Sequence, residues 1–291
     1  MKVIIWNIKR AQAAWKWLKE EKASVWLLQE TSPQPSKFKD HQAIWGHVEE
    51  ASTAAIISPH LPLKRLALQK LIHEPDLLRL YERLESTRKF RGRLVAAETK
   101  IKDKKWIFIS YHAFPIELAE SQLRFLLKLP ESSEEVDSDE VGEMAVQKLN
   151  RTYPWKGNKN IFYTDFVAAL LMDLLNNSEE MQKSSLVFGG DLNTSLGFDI
   201  QFKRKNEDNK RALEIFNTAG FVNCLKKHHS TEYQSYIHTQ PNKKKILFQN
   251  DHAFINKKLN CLFAYVLGRP LKEDNTAISD HNPILLLLKE K

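Results

Sequence analysis

Apolar residues in this chain fall in short runs separated by polar punctuation. Runs rich in Val, Ile, Phe and Trp occupy residues 3–8, 25–29, 54–58, 94–99, 106–111, 186–188, 253–255, 262–267 and 283–288. Their length and their β-branched and aromatic content predict strands. Apolar spacings of three and four predict helices over 11–21, 116–129 (Leu118, Leu123, Leu126, Leu127), 161–175 and 209–219. An opening strand–helix–strand followed by neighbouring strand runs around 94–111 predicts mixed sheets with helices outside. Two helix-covered sheets packed face to face fit this order. No internal repeat and no long Pro/Gly/Ser linker interrupts it, so residues 1–291 are expected to form a single domain. The exception is an expected insertion or mobile loop at about 130–159, where acids are followed by Asn150, Pro154, Gly157 and Asn158.

Composition narrows the class. With 291 residues, 42% hydrophobic and 27% charged, the chain has the balance of a soluble globular protein; collagen, extended disorder and a disulfide-stapled mini-protein are excluded. No apolar run approaches the roughly 20 residues that cross a bilayer. The net charge is +8, from 44 basic against 36 acidic residues. Seven acids and no base fall within 131–143, which leaves the rest of the chain with 44 basic residues against 29 acidic. Such an excess favours a polyanionic partner, although charge alone does not choose the polyanion. Cys224 and Cys261 are the two cysteines and have no zinc-ligand spacing. Buried or idle thiols in a reducing compartment are the simplest account, and a single disulfide is the alternative. The N-terminal residues read as a strand without a signal-peptide cleavage site, so a cytoplasmic protein is expected.

The strands share a pattern at their ends. Asn7, Glu30, His112, Asp191 with Asn193, Asp251, and Asp280 with His281 each close or directly follow or precede an apolar run. A rigid sheet can hold such side chains toward one cleft. Asn7, Glu30, Asp191, Asn193 and Asp280 offer hard oxygen donors and no thiolate, which selects Mg²⁺, Mn²⁺ or Ca²⁺ over zinc. Gly189 and Gly190 let the backbone approach closely before Asp191, and strand alternation aims Asp191 and Asn193 to one side; an Asx-turn at a strand end would use the same residues. His281 titrates in the useful range and needs a partner that sets its tautomer, for which Asp251 is the best candidate. His112 stands where a strand is expected to give way to a helix, with the means to donate to a phosphate oxygen.

Taken in order, WNI, LLQE, SYHAFP, GGDLN, QNDHAF and SDHNP resemble the endonuclease/exonuclease/phosphatase superfamily. That is the fold of pancreatic-type deoxyribonucleases, AP endonucleases, sphingomyelinases and inositol-polyphosphate phosphatases. The match spans residues 7 to 283, and its specificity lies in six weak motifs keeping the family's order. The resemblance implies an α/β fold, a four-layer α/β/β/α sandwich of two mixed sheets flanked by helices. It implies Asn7, Glu30 and Asp280 as the divalent-metal residues and Mg²⁺ (or Mn²⁺) as cofactor. It further implies Asp191 and Asn193 as the pair acting on the attacking water, and Asp251 as the carboxylate orienting His281. His281 is thereby assigned to catalysis, as general base or as stabiliser of the phosphorane-like transition state. His112 matches the histidine of the deoxyribonuclease branch, where AP endonucleases usually carry tyrosine. Gln249, Asn250 and His252 depart from the family's pattern without touching a proposed ligand.

The chemistry behind this set is general. A phosphodiester resists attack because its oxygens are anionic, so a divalent cation and positioned proton carriers remove most of the barrier. The leading expectation is a metal-dependent nuclease with DNA as its partner; no protein partner is inferable. The alternative is a phosphatase or phospholipid phosphodiesterase of inositol-phosphate or sphingomyelin type, for which no convincing apolar membrane-facing loop is found. A binding protein on an inactive nuclease fold is disfavoured by the intact residue set. Basic clusters at 88–93, 203–205, 226–229 and 243–245 lie between the predicted strands. From these, Arg91 and Arg93 are expected to contact substrate phosphates.

Overall fold

A computed structural model of the chain describes residues 1–31, 40–47, 53–86, 91–113, 117–119, 160–201, 208–238 and 246–291. Two six-stranded sheets dominate. The first contains β1 (Lys2–Asn7), β2 (Val25–Gln29), β3 (Gln42–Trp45), β4 (Ala55–Ser58), β15 (Leu259–Val266) and β16 (Ile284–Glu290), in the order β15-β16-β1-β2-β4-β3. The second contains β5 (Lys64–Arg65), β6 (Leu94–Ile101), β7 (Lys104–His112), β10 (Ser185–Asp191), β11 (Phe221–Asn223) and β14 (Asp251–Asn256), in the order β11-β14-β10-β7-β6-β5. Each sheet has one parallel pair at its centre, β1/β2 and β7/β10, and antiparallel pairings elsewhere. Two small hairpins complete the strands: β8 (Glu117–Ala119) with β9 (Asn160–Phe162), and β12 (Tyr236–His238) with β13 (Ile246–Phe248).

The strands read as continuous apolar runs because both of their faces are buried. In β1, Val3 and Ile5 join Val25, Leu27, Phe108 and Val187 in a core between the sheets. The intervening Ile4 and Trp6 turn the other way, onto Ala14, Trp15 and Leu18 of α1 (Gln12–Glu20). The second sheet repeats this division. Ile107, Ile109, Leu186 and Phe188 face a third core made with α2 (Pro75–Ser86), α3 (Tyr163–Asn177) and α6 (Asp208–Thr218). The short helices α4 (Glu179–Lys183), α5 (Leu196–Gln201) and α7 (Cys224–His228) lie between these elements in sequence. Three cores between successive layers make the four-layer α/β/β/α sandwich that the family resemblance implies and that two helix-covered sheets would give.

Two expectations need correction or completion. Of the helix predicted at 116–129, residues 117–119 are strand β8, paired with β9; the pairing supplies what local spacing leaves undecided. The rest of that segment, and the acidic stretch at 131–159, lie outside the described residues. Helix α2 is absent from the sequence reading, although Pro75 at its first position and the buried Leu77, Leu80 and Leu84 mark a helical stripe. Cys224 and Cys261 are both free and buried, and no helix among the described residues is long and apolar enough to cross a membrane.

Candidate active site

Strand alternation builds the site. Val3 and Ile5 face the inter-sheet core, so a period of two brings Asn7 to the same face at the end of β1. The same count along β2 brings Gln29, along β7 brings Ser110 and His112, along β10 brings Asp191, and along β14 brings Asp251. Because β1/β2 and β7/β10 are parallel, their polar residues gather at the carboxyl ends of the strands, where open α/β sheets bind ligands. In register, Asp191 lies opposite His112 on one neighbour and Asp251 on the other. Gly190 permits this approach: a Cβ there would stand 1.8 Å from the Tyr111 carbonyl oxygen. Just below, Gln29 Nε2 donates to Ser110 Oγ at 3.0 Å and ties the two sheets together.

The side chains meet across the sheets. Asn7 Nδ2 donates to Glu30 Oε1 and to Asp191 Oδ2, both at 3.0 Å. Glu30 follows β2 with φ +45°, and its carbonyl accepts from Arg10 N at 2.6 Å, which turns the side chain inward. His112 Nε2 lies 3.6 Å from Glu30 Oε1 and 3.8 Å from Asp191 Oδ2. On the opposite flank, His281 Nδ1 is 2.8 Å from Asp251 Oδ2, and Nε2 is 3.7 Å from Asp191 Oδ2. The loop carrying His281 is held at three points. Trp6 Nε1 donates to the His281 carbonyl at 2.9 Å, Ser279 Oγ donates to the Asn7 carbonyl at 2.8 Å, and His281 N donates to Ser279 Oγ at 3.1 Å. Asp251 is anchored through its backbone N–H, which donates to Ser235 Oγ at 2.9 Å.

Burial governs the electrostatics. Asp191 is 2% exposed, and burial is the main cause that pushes its carboxyl up to about 7, reinforced by Asp251 and opposed by His281, Asn193 and Asn7. Burial also works against a charged His281, but the carboxylates of Asp251, Asp191 and Asp280 outweigh it and push the imidazole up to about 9.

The remaining sequence-predicted residues sit at the margins of this group. Asp280 pairs with Lys9 Nζ, and its other oxygen is 4.0 Å from His281 Nε2 and has no hydrogen-bond partner among the described residues. Asn193, with φ +47°, gives its backbone N–H to Asp191 Oδ1 at 2.9 Å and its amide to the Ala113 carbonyl at 2.9 Å. Arg91 is turned to the end of α2, donating to the carbonyls of Glu85 and Ser86 at 3.1 and 3.3 Å. Arg93 is 4% exposed and reaches His112 Nδ1 at 3.0 Å. In the 226–229 cluster, Lys227, His228 and His229 are bonded to the backbone of β15. The clusters at 203–205 and 243–245 lie outside the described residues, as does 88–90.

The sequence reading misses Lys9, Gln29, Ser110, Ser235 and Ser279. It also misses Tyr236, whose ring lies 4.7 Å from that of His281. Strand period alone would have found Gln29 and Ser110. Tyr236, on the β12 hairpin, has no sequence signal.

The donor set fits a hard divalent cation. Ligand atoms of Glu30, His112 and Asp191 lie within 4.8 Å of one another, as do those of Asp191, Asp251 and His281. The carboxylates of Glu30 and Asp191 converge on Asn7 Nδ2, while Asn7 Oδ1 accepts from Lys9 N at 3.1 Å; paired carboxylate oxygens without a thiolate suit oxygen-preferring Mg²⁺ or Mn²⁺ better than zinc.

No protein-family model matches the sequence, and a search of curated proteins finds no match. Solved structures do match over nearly the whole chain. An AP endonuclease from Archaeoglobus fulgidus is 19% identical with a TM-score of 0.58, over 99% of this chain and 98% of that one. TDP2 from D. rerio, complexed with a single-strand DNA product, is 13% identical with a TM-score of 0.57, over 99% and 98%. The 3′ phosphatase NExo from Neisseria, bound to a product DNA hairpin, is 14% identical with a TM-score of 0.54, over 99% of each chain. Likeness at these identities concerns architecture, and with two mixed six-stranded sheets between helical layers the chain has the DNase I-like, endonuclease/exonuclease/phosphatase fold.

Proposed function

We propose that the chain is a divalent-metal-dependent phosphodiesterase that hydrolyses DNA, with residues 1–291 as one catalytic domain in the cytoplasm. The observation that carries this reading is the position of Asp191, flanked by Asn7 and Glu30 from the other sheet and by His281, itself paired with Asp251. When bound, a cation of the Mg²⁺ or Mn²⁺ type neutralises phosphate charge and polarises the P–O bond under attack. Glu30 would hold it, with Asp191 adjoining; Asn7 would join through Oδ1 only by turning its amide over, and Asp280 only by exchanging Lys9 for the metal. Hydrolysis forms a P–O bond to water and breaks the ester P–O bond. The proton that water sheds has its acceptor in Asp191, while His281, charged beside its carboxylates, holds Nε2–H 3.7 Å from Asp191 Oδ2 as a donor to the charge that builds on phosphorus-bound oxygen. Asp251 keeps the Nδ1 proton of His281 in place, so that Nε2 always faces the reacting side. Asn193 stiffens Asp191 through its backbone N–H. The excess of basic residues and the DNA products bound in the TDP2 and NExo structures favour DNA among phosphoesters.

The test is a substrate panel of plasmid, single-stranded DNA, 3′-phosphorylated DNA, RNA, inositol phosphates and sphingomyelin, each with Mg²⁺, Mn²⁺ or EDTA. Metal-dependent cleavage of DNA is expected, with at least about a 10²-fold loss in Glu30→Gln. Binding should weaken steeply between about 50 and 200 mM salt. Turnover in EDTA, or turnover confined to inositol phosphates or sphingomyelin with a flat salt response, would overturn the reading.

A further inference from the structure

Arg93 is an arginine in the wrong place for a phosphate clamp. Its backbone is fixed by the turn before β6. The Gly92 carbonyl accepts from Ala54 N at 2.8 Å and Thr53 Oγ1 at 3.2 Å, Gly92 N donates to Glu85 Oε2 at 3.3 Å, and the Arg93 carbonyl accepts from His112 N at 2.9 Å. Gly92 has φ +70°, and a Cβ there would stand 2.6 Å from His47 N, so the turn admits no side chain. Clamped in this way, the Arg93 side chain enters the interior and sets Nη1 3.0 Å from His112 Nδ1.

That contact decides the chemistry of His112. A guanidinium carries donors only, so Nδ1 has to be the unprotonated, accepting nitrogen of the ring. The ring proton is then on Nε2, the atom 3.6 Å from Glu30 Oε1 and 3.8 Å from Asp191 Oδ2. We propose that Arg93 is a positioning residue that fixes His112 as the Nε2–H tautomer and makes it a hydrogen-bond donor of set direction at the carboxylate-lined end of the cleft. This inference rests on the phosphoester-hydrolase reading and deepens it. A donor there recognises the anionic oxygens of the substrate, while proton uptake is left to Asp191. A basic side chain thus serves the substrate through a histidine rather than by touching it.

The test reads the tautomer directly. Long-range ¹H–¹⁵N correlation on the metal-free 291-residue chain is expected to show a pyridine-type Nδ1 and a pyrrole-type Nε2 for His112, assigned by loss of its signals in His112→Gln. Arg93→Lys, which keeps a donor, should preserve that pattern and most of the activity. Arg93→Met should mix the tautomers and lower kcat by no more than about tenfold, with KM changed less. Should Arg93→Met fail to fold, the wild-type and Arg93→Lys spectra still decide. A protonated Nδ1 in the wild type, or spectra unchanged by Arg93→Met, would overturn the proposal. Because the spectrum needs neither metal nor substrate, an inactive protein with the expected spectrum would instead count against the hydrolase reading.

Discussion

On one flank of Asp191 a carboxylate stands behind a histidine; on the other an arginine does. His281 gives its Nδ1 side to Asp251 at 2.8 Å and His112 gives its own to Arg93 at 3.0 Å, while both turn Nε2 toward Asp191, at 3.7 and 3.8 Å. Asp251 accepts, so it favours a proton on Nδ1 and, with Asp191 and Asp280 against the opposing effect of burial, a charged ring. Arg93 donates, so it removes the proton from Nδ1. Identical side chains aimed at one carboxylate are therefore given different chemistry by what lies behind them. The sheet supplies direction, and the partner behind each ring supplies proton content.

The largest effect should come from replacing each histidine by glutamine, because an amide keeps a hydrogen-bond donor but neither titrates nor carries charge. His281→Gln is expected to lower kcat by about 10²- to 10⁴-fold, the range for a lost acid–base group. His112→Gln should cost about tenfold, since a donor of similar reach survives. Equal losses, measured on the best DNA substrate under saturating metal, would erase the distinction between the flanks.

A second effect concerns stability in EDTA, where no cation competes for the carboxylates. The folded His281 titrates near 9 against an ordinary 6.5. Its contribution is fully present below about pH 6.5 and is lost as pH rises through 9. The raised Asp191, near 7 against 3.8, loses stability in the same direction, but mainly between about pH 4 and 7. Urea midpoints taken from pH 6.5 to 9.5 should fall by an amount worth up to roughly 3 kcal/mol. Asp251→Asn should flatten that slope, and a flat wild-type curve would show that His281 gains nothing from its carboxylates.

How much of this was legible follows from how each residue is held. Asn7, Glu30, Asp191, Asp251 and His281 stand out in the sequence because each adjoins an apolar run, and a doubly covered strand leaves few polar positions except at its ends. The sandwich is legible for the same reason. The place of Arg93 is not, because a basic run at 88–93 reads as a loop that grips substrate phosphates, and only the tertiary clamp on Gly92 turns its last residue inward. Arg91, two residues earlier, is spent on the end of α2, an element the strand-weighted reading passes over. Strand β8 was read as helix because its partner β9 is some forty residues away, beyond the reach of any local window.

The smallest effect sits at the rim and tests how Lys9 bears on Asp280, beside the His281 flank. Lys9 follows Asn7 by two residues, has φ +47°, and pairs with Asp280 while its side chain stays 56% exposed. Desolvation works against its charge, but Asp280 and Glu30 outweigh this and raise its pKa, so the ammonium stays charged over the working range. It therefore competes with any divalent cation for the same carboxylate. An exposed pair of this kind contributes up to about 1 kcal/mol, so Lys9→Met should tighten Mn²⁺ binding by roughly two- to fivefold in calorimetric titration of the whole chain. The same change should leave the His112 spectrum untouched, because Lys9 acts on the Asp280 side. Weaker Mn²⁺ binding in Lys9→Met would mean that Lys9 orders Asp280 for the metal instead of competing with it, and the two flanks would then differ in proton content alone.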